Sequence, residues 1–175
     1  NLSGPIAGQK TKFFLSGRYN DRDNYLPWGY ETEQNVFFKL TDTHLNNIKL
    51  NFVTNLSSGT SKNYSHSWKY IPDQYWYKPK TNSKMFKLGY THTLSEKLYY
   101  SFSTYYTSYD YVSGDYNYND LKPDYQRDGN QEFYTQNYIS SYTNNNQYTI
   151  GTRGDLVWQP NKYNELKTGF IGKYH

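Results

Sequence analysis

Asn47-Ile48-Lys49-Leu50-Asn51-Phe52-Val53-Thr54-Asn55-Leu56 is the stretch on which the fold turns. Ile48, Leu50, Phe52, Thr54 and Leu56 fall on one parity, while Lys49, Asn51, Val53 and Asn55 fall on the other. Successive side chains of an extended chain point to opposite faces, so this period of two predicts a β-strand with one oily and one largely polar face.

The pattern recurs outward from there. Tyr148, Ile150, Thr152, Gly154, Leu156 and Trp158 oppose Thr149, Gly151, Arg153, Asp155, Val157 and Gln159, and Leu166, Thr168, Phe170, Gly172 and Tyr174 oppose Lys167, Gly169, Ile171 and Lys173. Near the start, Phe13, Leu15 and Tyr19 alternate with Lys12, Ser16 and Arg18. Segments 36–43, 85–93, 98–107 and 132–143 also read as strands, with aromatics on both faces blurring the alternation. Helical periodicity is nearly absent, and the chain reads as all-β.

The connections predict an antiparallel meander. Short turns are expected at Ala7–Lys10, His44–Asn47, Leu94–Lys97 and Asn144–Gln147, with longer polar links at Asn20–Glu33, Gly59–Ser83 and Tyr109–Gln131 and a shorter one near Gln159–Asn164. About eight or nine long strands follow, with short turns at one end and long loops at the other. A transmembrane β-barrel has this asymmetry, with short periplasmic turns and long extracellular loops.

Composition points the same way. Hydrophobic residues make up 35% of the 175, below the roughly 45–50% of ordinary globular chains, yet aromatic content is 21% with 23 tyrosines, the opposite of a disordered composition. Tyrosine pairs an apolar ring with a polar tip and suits a surface that meets both lipid and water. There is no cysteine, hence no disulfide framework and no thiolate metal site, and no segment approaches the roughly 18 consecutive apolar residues of a membrane-spanning helix. The charge of +4 is scattered without a basic run and gives no nucleic-acid footprint. The start at Asn1, without an initiating Met or a secretory signal, reads as a processed or truncated chain.

Asn1-Leu-Ser-Gly-Pro-Ile6, followed by a turn and Lys12-Phe-Phe-Leu-Ser-Gly-Arg-Tyr19, resembles barrel segments of TonB-dependent outer-membrane receptors of the Bacteroidetes type. Asp155-Leu-Val-Trp-Gln159, leading through Asn161 and Tyr163 into Glu165-Leu-Lys-Thr-Gly-Phe170 and Tyr174-His175, resembles the same family. The resemblance implies a barrel of about 22 strands filled by an N-terminal plug. It also implies a TonB complex that grips a short N-terminal box, and uptake of a scarce nutrient such as an iron-siderophore, a vitamin or an oligosaccharide. Residues 1–175 would then be an internal portion of the barrel domain, carrying neither plug nor box and ending in His175 rather than a terminal aromatic. Its partners would be outer-membrane lipid, the rest of the barrel and its plug, the TonB complex and a small-molecule or glycan substrate, in the outer membrane of a Gram-negative bacterium.

Candidate sites are of two kinds. Lys49, Asn51, Arg153, Asp155 and Lys167 lie on the polar parity and would face the concave, lumenal side, opposite Ile48, Leu50, Phe52, Leu56, Ile150, Leu156, Leu166 and Phe170. Two aromatic stretches, Trp68 to Tyr77 with Tyr75 and Trp76, and Tyr109 to Asp120 with Tyr111, Tyr116 and Tyr118, set stacking rings beside hydrogen-bonding groups. Such loops suit a glycan or siderophore-like ligand, and equally suit anchoring at a bilayer boundary. His44, His66, His92 and His175 lack metal-ligand spacing, and Asp21, Asp23, Asp110 and Asp115 read as solvated loop acids. No catalytic motif occurs, so neither an enzyme nor a cofactor is expected. Two other readings stay open: a complete small barrel of about eight strands with an adhesive or structural role, and a soluble carbohydrate-binding β-sandwich.

Overall fold

The computed structural model describes residues 1–75, 77–114, 129–130, 132–135 and 142–175. Eight strands follow one another: β1 (Leu2–Ala7), β2 (Thr11–Asp23), β3 (Tyr30–Asp42), β4 (Ile48–Lys62), β5 (Lys80–Ser95), β6 (Leu98–Gly114), β7 (Tyr142–Asn161) and β8 (Asn164–Tyr174). They form one sheet in sequence order, each pairing antiparallel with the next. Helix among the described residues is confined to two three-residue 3-10 turns, His66–Trp68 and Pro72–Gln74. None of it is long and apolar enough to cross a membrane.

Register links the strands into rows that share a face. One row runs Thr11–Asp42–Leu50–Tyr90–Phe102–Gly154–Phe170, and the next runs Phe13–Leu40–Phe52–Leu88–Thr104–Thr152–Gly172. A third runs Leu2–Leu15–Phe38–Thr54–Phe86–Tyr106–Ile150–Tyr174. The rows are sheared: Thr11 opens β2 directly after its turn, whereas β7 continues from Gly154 to Asn161 before turning. Such progressive stagger accompanies strands tilted across a sheet.

These rows make a continuous apolar face. The strands contribute runs of about three to five residues to this face, so the band is about 7–10 residues deep along a strand, near the 9–11 that cross a bilayer at a tilt. Polar groups bound it, Lys84 and Gln34 toward the loop end and Asp42 and His92 toward the turn end, with Tyr19 and Tyr148 on one border and Tyr100 and Trp158 on the other. Among the described residues no second layer covers this face. Leu88 is 57% exposed, Ile150 46%, Leu166 56% and Phe170 60%, and the described residues hold only Trp68 and Phe133 as buried hydrophobics, both away from the sheet. The described strands form one sheet rather than the two packed sheets of a sandwich.

The opposite face collects the polar parity. Lys49, Asn51, Arg153, Asp155 and Lys167 share it, as expected from the alternation, and Ile48, Leu50, Phe52, Leu56, Ile150, Leu156, Leu166 and Phe170 share the apolar one. Cross-strand amides stitch this face together, with Asn35 Nδ2 donating to Asn55 Oδ1 at 2.9 Å and the Thr41 hydroxyl to Asn51 Oδ1 at 3.1 Å.

Several sequence expectations are corrected. Asn144–Gln147 is not a turn: it lies within β7, where Asn144 pairs with Val112 and Gln147 with Tyr109, because ladder pairing with β6 overrides the turn preference of an Asn run. Of the strand expected at 132–143, residues 136–141 lie outside the described residues, and the rest do not form a separate strand. Glu132–Thr135 is irregular apart from Tyr134, whose N–H donates to Ser67 O, and Tyr142 already belongs to β7, so the described strands number eight. The link at Gln159–Asn164 contracts to a tight turn at Lys162–Tyr163 on the same end as the other short turns. There the Asn161 side chain accepts hydrogen bonds from the Tyr163 and Asn164 N–H groups, each at 3.0 Å. Two of the long links shorten, to 24–29 and 63–79, since Asn20–Asp23, Tyr30–Glu33, Gly59–Lys62 and Lys80–Ser83 continue the ladder; Tyr109–Gly114 likewise belong to β6, and most of the link expected beyond them lies outside the described residues.

Candidate functional site

Two glycines shape the sheet near the polar residues. Gly151, opposite Tyr105, and Gly154, opposite Phe170, each lie beneath the ring of that cross-strand neighbour, where an added Cβ would strike the ring. A ring laid over a strand glycine restores the packing that the missing side chain forfeits.

On the polar face, Arg153 and Asp155 form a two-point pair, Nε to Oδ2 at 2.7 Å and Nη2 to Oδ1 at 3.0 Å. The fork fixes both side chains and neutralises the carboxylate locally. Lys167 pairs with Glu165 two positions away in β8. Two clefts open here. One of about 430 Å3 crosses β3 to β7 and is lined by Lys39, Lys49, Asn51, Lys87, Arg153 and Asp155 among others; a second of about 720 Å3 lies toward β8, with Tyr99, Arg153, Asp155 and Lys167 in its wall. The five polar residues singled out in the sequence thus border two neighbouring clefts.

At the loop end, rings gather into a small cluster. Trp68 is 3% exposed and stacks on Tyr134 with centroids 4.5 Å apart, and Tyr75 lies 5.7 Å from Trp68 and 5.5 Å from Trp28. Tyr75 leads on to Tyr77 at 6.4 Å, and the Tyr77 hydroxyl meets that of Tyr111 at 3.4 Å. Burial pushes the Tyr75 phenol above its ordinary pKa, and the hydroxyl contact with Tyr111 does so for Tyr77. Tyr109 and Tyr111 are strand residues of β6 on the face that carries Lys87, not loop residues as expected, because the ladder with β7 runs on to Gly114. Trp76, Tyr116 and Tyr118 lie outside the described residues.

Lys62 ties two loops together. It is 6% exposed, its Nζ donates to Pro72 O at 2.6 Å and lies 4.8 Å from the Trp28 ring centroid. Burial, then Lys78, push its ammonium below the ordinary lysine value, against an opposing pull from Asp73. Trp28 itself adopts φ of 52°, a left-handed conformation rare for a bulky residue, and is held between Tyr64 at 5.1 Å and Tyr75. Trp28, Lys62, Tyr64, Phe133 and Tyr134 were not singled out in the sequence. Only Pro27-Trp28-Gly29, a turn composition with an aromatic at its centre, carried a local signal.

Trp68 and Tyr75 thus act first as packing for the loops. Tyr70, 63% exposed and 4.7 Å from Lys69 Nζ, is the ring of this cluster that offers a free surface. Among the described residues no group of three His, Asp or Glu side chains is placed to hold a metal ion.

The chain matches no family model, and neither curated proteins nor solved structures show significant similarity to it.

Proposed function

We propose that this chain is part of the wall of an outer-membrane β-barrel, and that the barrel is a TonB-dependent receptor that takes up a scarce nutrient, an iron-siderophore, a vitamin or an oligosaccharide. The observation that carries the reading is the continuous, uncovered apolar face, of bilayer depth and bordered by Tyr and Trp. In water, so large an apolar surface on a sheet without a second layer is unfavourable, at about 25 cal/mol per Å2 left exposed. In hydrocarbon it is matched to its surroundings, and the ladder satisfies the backbone. The alternation of short turns with longer loops supports the same reading.

The free edges favour a larger barrel over a complete small one. β1 and β8 each have one neighbour, and no pairing joins them. An open edge is costly in hydrocarbon, so further strands would flank both. In this reading the Gram-negative outer membrane supplies the lipid, a plug occupies the lumen, and the TonB complex delivers energy through an N-terminal region.

The test uses the full-length protein. It should sediment with outer membranes and migrate differently in gels before and after boiling, and its gene deletion should abolish growth on a limiting nutrient to the same extent as loss of TonB. Recovery as a monomer in the aqueous fraction would overturn the membrane reading, and nutrient uptake indifferent to both deletions would overturn the transport reading.

A further inference from the structure

The polar face is unevenly charged, and the imbalance is concentrated in the smaller cleft. One row of this face runs Phe14–Lys39–Val53–Lys87–Tyr105–Gly151–Lys173, the next Lys12–Thr41–Asn51–Gly89–Ser103–Arg153–Ile171, and the next Lys49–Thr91–Ser101–Asp155–Gly169. Asp155 is the one carboxylate in these rows, and Arg153 already holds it through two hydrogen bonds. Lys39, Lys49 and Lys87 line the cleft of about 430 Å3, and no ion pair among the described residues involves them.

We propose that this cleft binds a small solute carrying two or more oxyanion groups, carboxylates or phosphates, with Lys39, Lys49 and Lys87 as its principal contacts. The inference rests on the reading above that this face lines a lumen, and it names the substrate class. Lys39 and Lys87 occupy one row two strands apart, which separates their backbones by about 10 Å, and Lys49 lies two rows further along the strand between, about 13 Å from Val53. Long lysine side chains set at such separations can converge on one solute that carries several carboxylates. Three unpaired ammonium groups lining one cleft repel one another to the extent that salt, with a Debye length of about 8 Å at physiological ionic strength, leaves them unscreened. A multivalent anion relieves that repulsion. The Asn51 amide and the hydroxyls of Thr91, Ser101 and Ser103 around the cleft supply neutral donors that orient carboxylate oxygens. A volume of this size fits a small metabolite.

Citrate is the probe, titrated calorimetrically into the full-length protein purified in detergent, with maltotriose as the uncharged comparison. Citrate is expected to bind, and more weakly as salt rises. The triple variant Lys39→Gln, Lys49→Gln, Lys87→Gln should lose at least about tenfold in affinity, the loss of charge-assisted contacts worth about 1.4 kcal/mol or more. Lys84→Gln, a lysine of β5 on the opposite face, should leave affinity unchanged. The gel shift on boiling checks that the triple variant is folded, and each single variant should show a smaller loss in the same direction. Absence of citrate binding by the folded protein, equal affinity in the triple variant, or tighter binding of maltotriose than of citrate would overturn the proposal. A protein that binds citrate through these lysines but fractionates in water would keep the anion site and refute the membrane reading.

Discussion

Along β5 the two faces of the sheet part company within single steps of the chain. Phe86, Leu88 and Tyr90 sit in rows with Thr54, Phe52, Leu50 and Tyr106, whereas Met85, Lys87 and Gly89 sit in rows with Asn55, Val53, Asn51 and Ser103. A soluble sheet of this kind would have its apolar face covered by a second layer, which gives it a dry core. Here the apolar face is bare and the polar one is cleft and cationic. This inverted arrangement is what the proposed barrel wall requires, with hydrocarbon against the apolar face and water against the polar one.

Substitutions on the two faces of one strand should therefore have unequal effects, and the largest difference is expected at mid-band. Leu88→Arg should lower unfolding stability in lipid vesicles by about 2–4 kcal/mol, the usual cost of a lipid-facing arginine near the midplane. Lys87→Gln beside it should stay within about 0.5 kcal/mol. Equal effects at the two sites would break the comparison. The next effect is steric rather than electrostatic. Gly154→Val on the apolar face and Gly151→Val on the polar face should each cost about 1–3 kcal/mol, because the new side chain displaces the ring of Phe170 or Tyr105. Adding Phe170→Ala to Gly154→Val should recover part of the loss, measured by urea titration.

Smaller effects separate loops from wall. Trp68→Ala should open segment 63–79 to protease while shifting wall stability by no more than about 0.5 kcal/mol, since the rings that Trp68 meets, Tyr75 and Tyr134, lie outside the strands. A global loss of heat resistance would show that the ring cluster braces the strands. Arg153→Lys should leave thermal stability close to that of the parent protein, because the pair with Asp155 is mostly exposed, with Arg153 at 58%. The same variant should sharpen the charge argument, since it loosens Asp155 without changing net charge.

How far the sequence discloses this arrangement follows from where alternation is enforced. Within the apolar band every second residue must be apolar, and the facing of Ile48 to Leu56 and Tyr148 to Trp158 was readable by parity alone. Beyond the band both faces are polar, so parity carries no signal although the ladder continues. That is why Asn20–Asp23, Tyr109–Gly114 and Asn144–Gln147 read as loop or turn but fold as strand. Part of the loop site was legible as composition, since Trp68, Tyr75 and Tyr77 do gather. The contacts of Trp28 and Lys62 were not, because they depend on how loops 24–29 and 63–79 approach each other, and no short-range pattern encodes that. The cationic cleft was legible only as scattered lysines, because Lys39, Lys49 and Lys87 become neighbours through register.

Spin labels on neighbouring residues of β5 test the two-faced account most directly. The chain has no cysteine, so single cysteines at Phe86, Lys87, Leu88 and Gly89 each place one label in this segment of the reconstituted full-length protein. Labels at Phe86 and Leu88 should relax with oxygen dissolved in the bilayer, and labels at Lys87 and Gly89 with a water-soluble nickel chelate, in strict alternation. Equal exposure of all positions to the nickel chelate would contradict the account, because it would put water on both faces of the sheet.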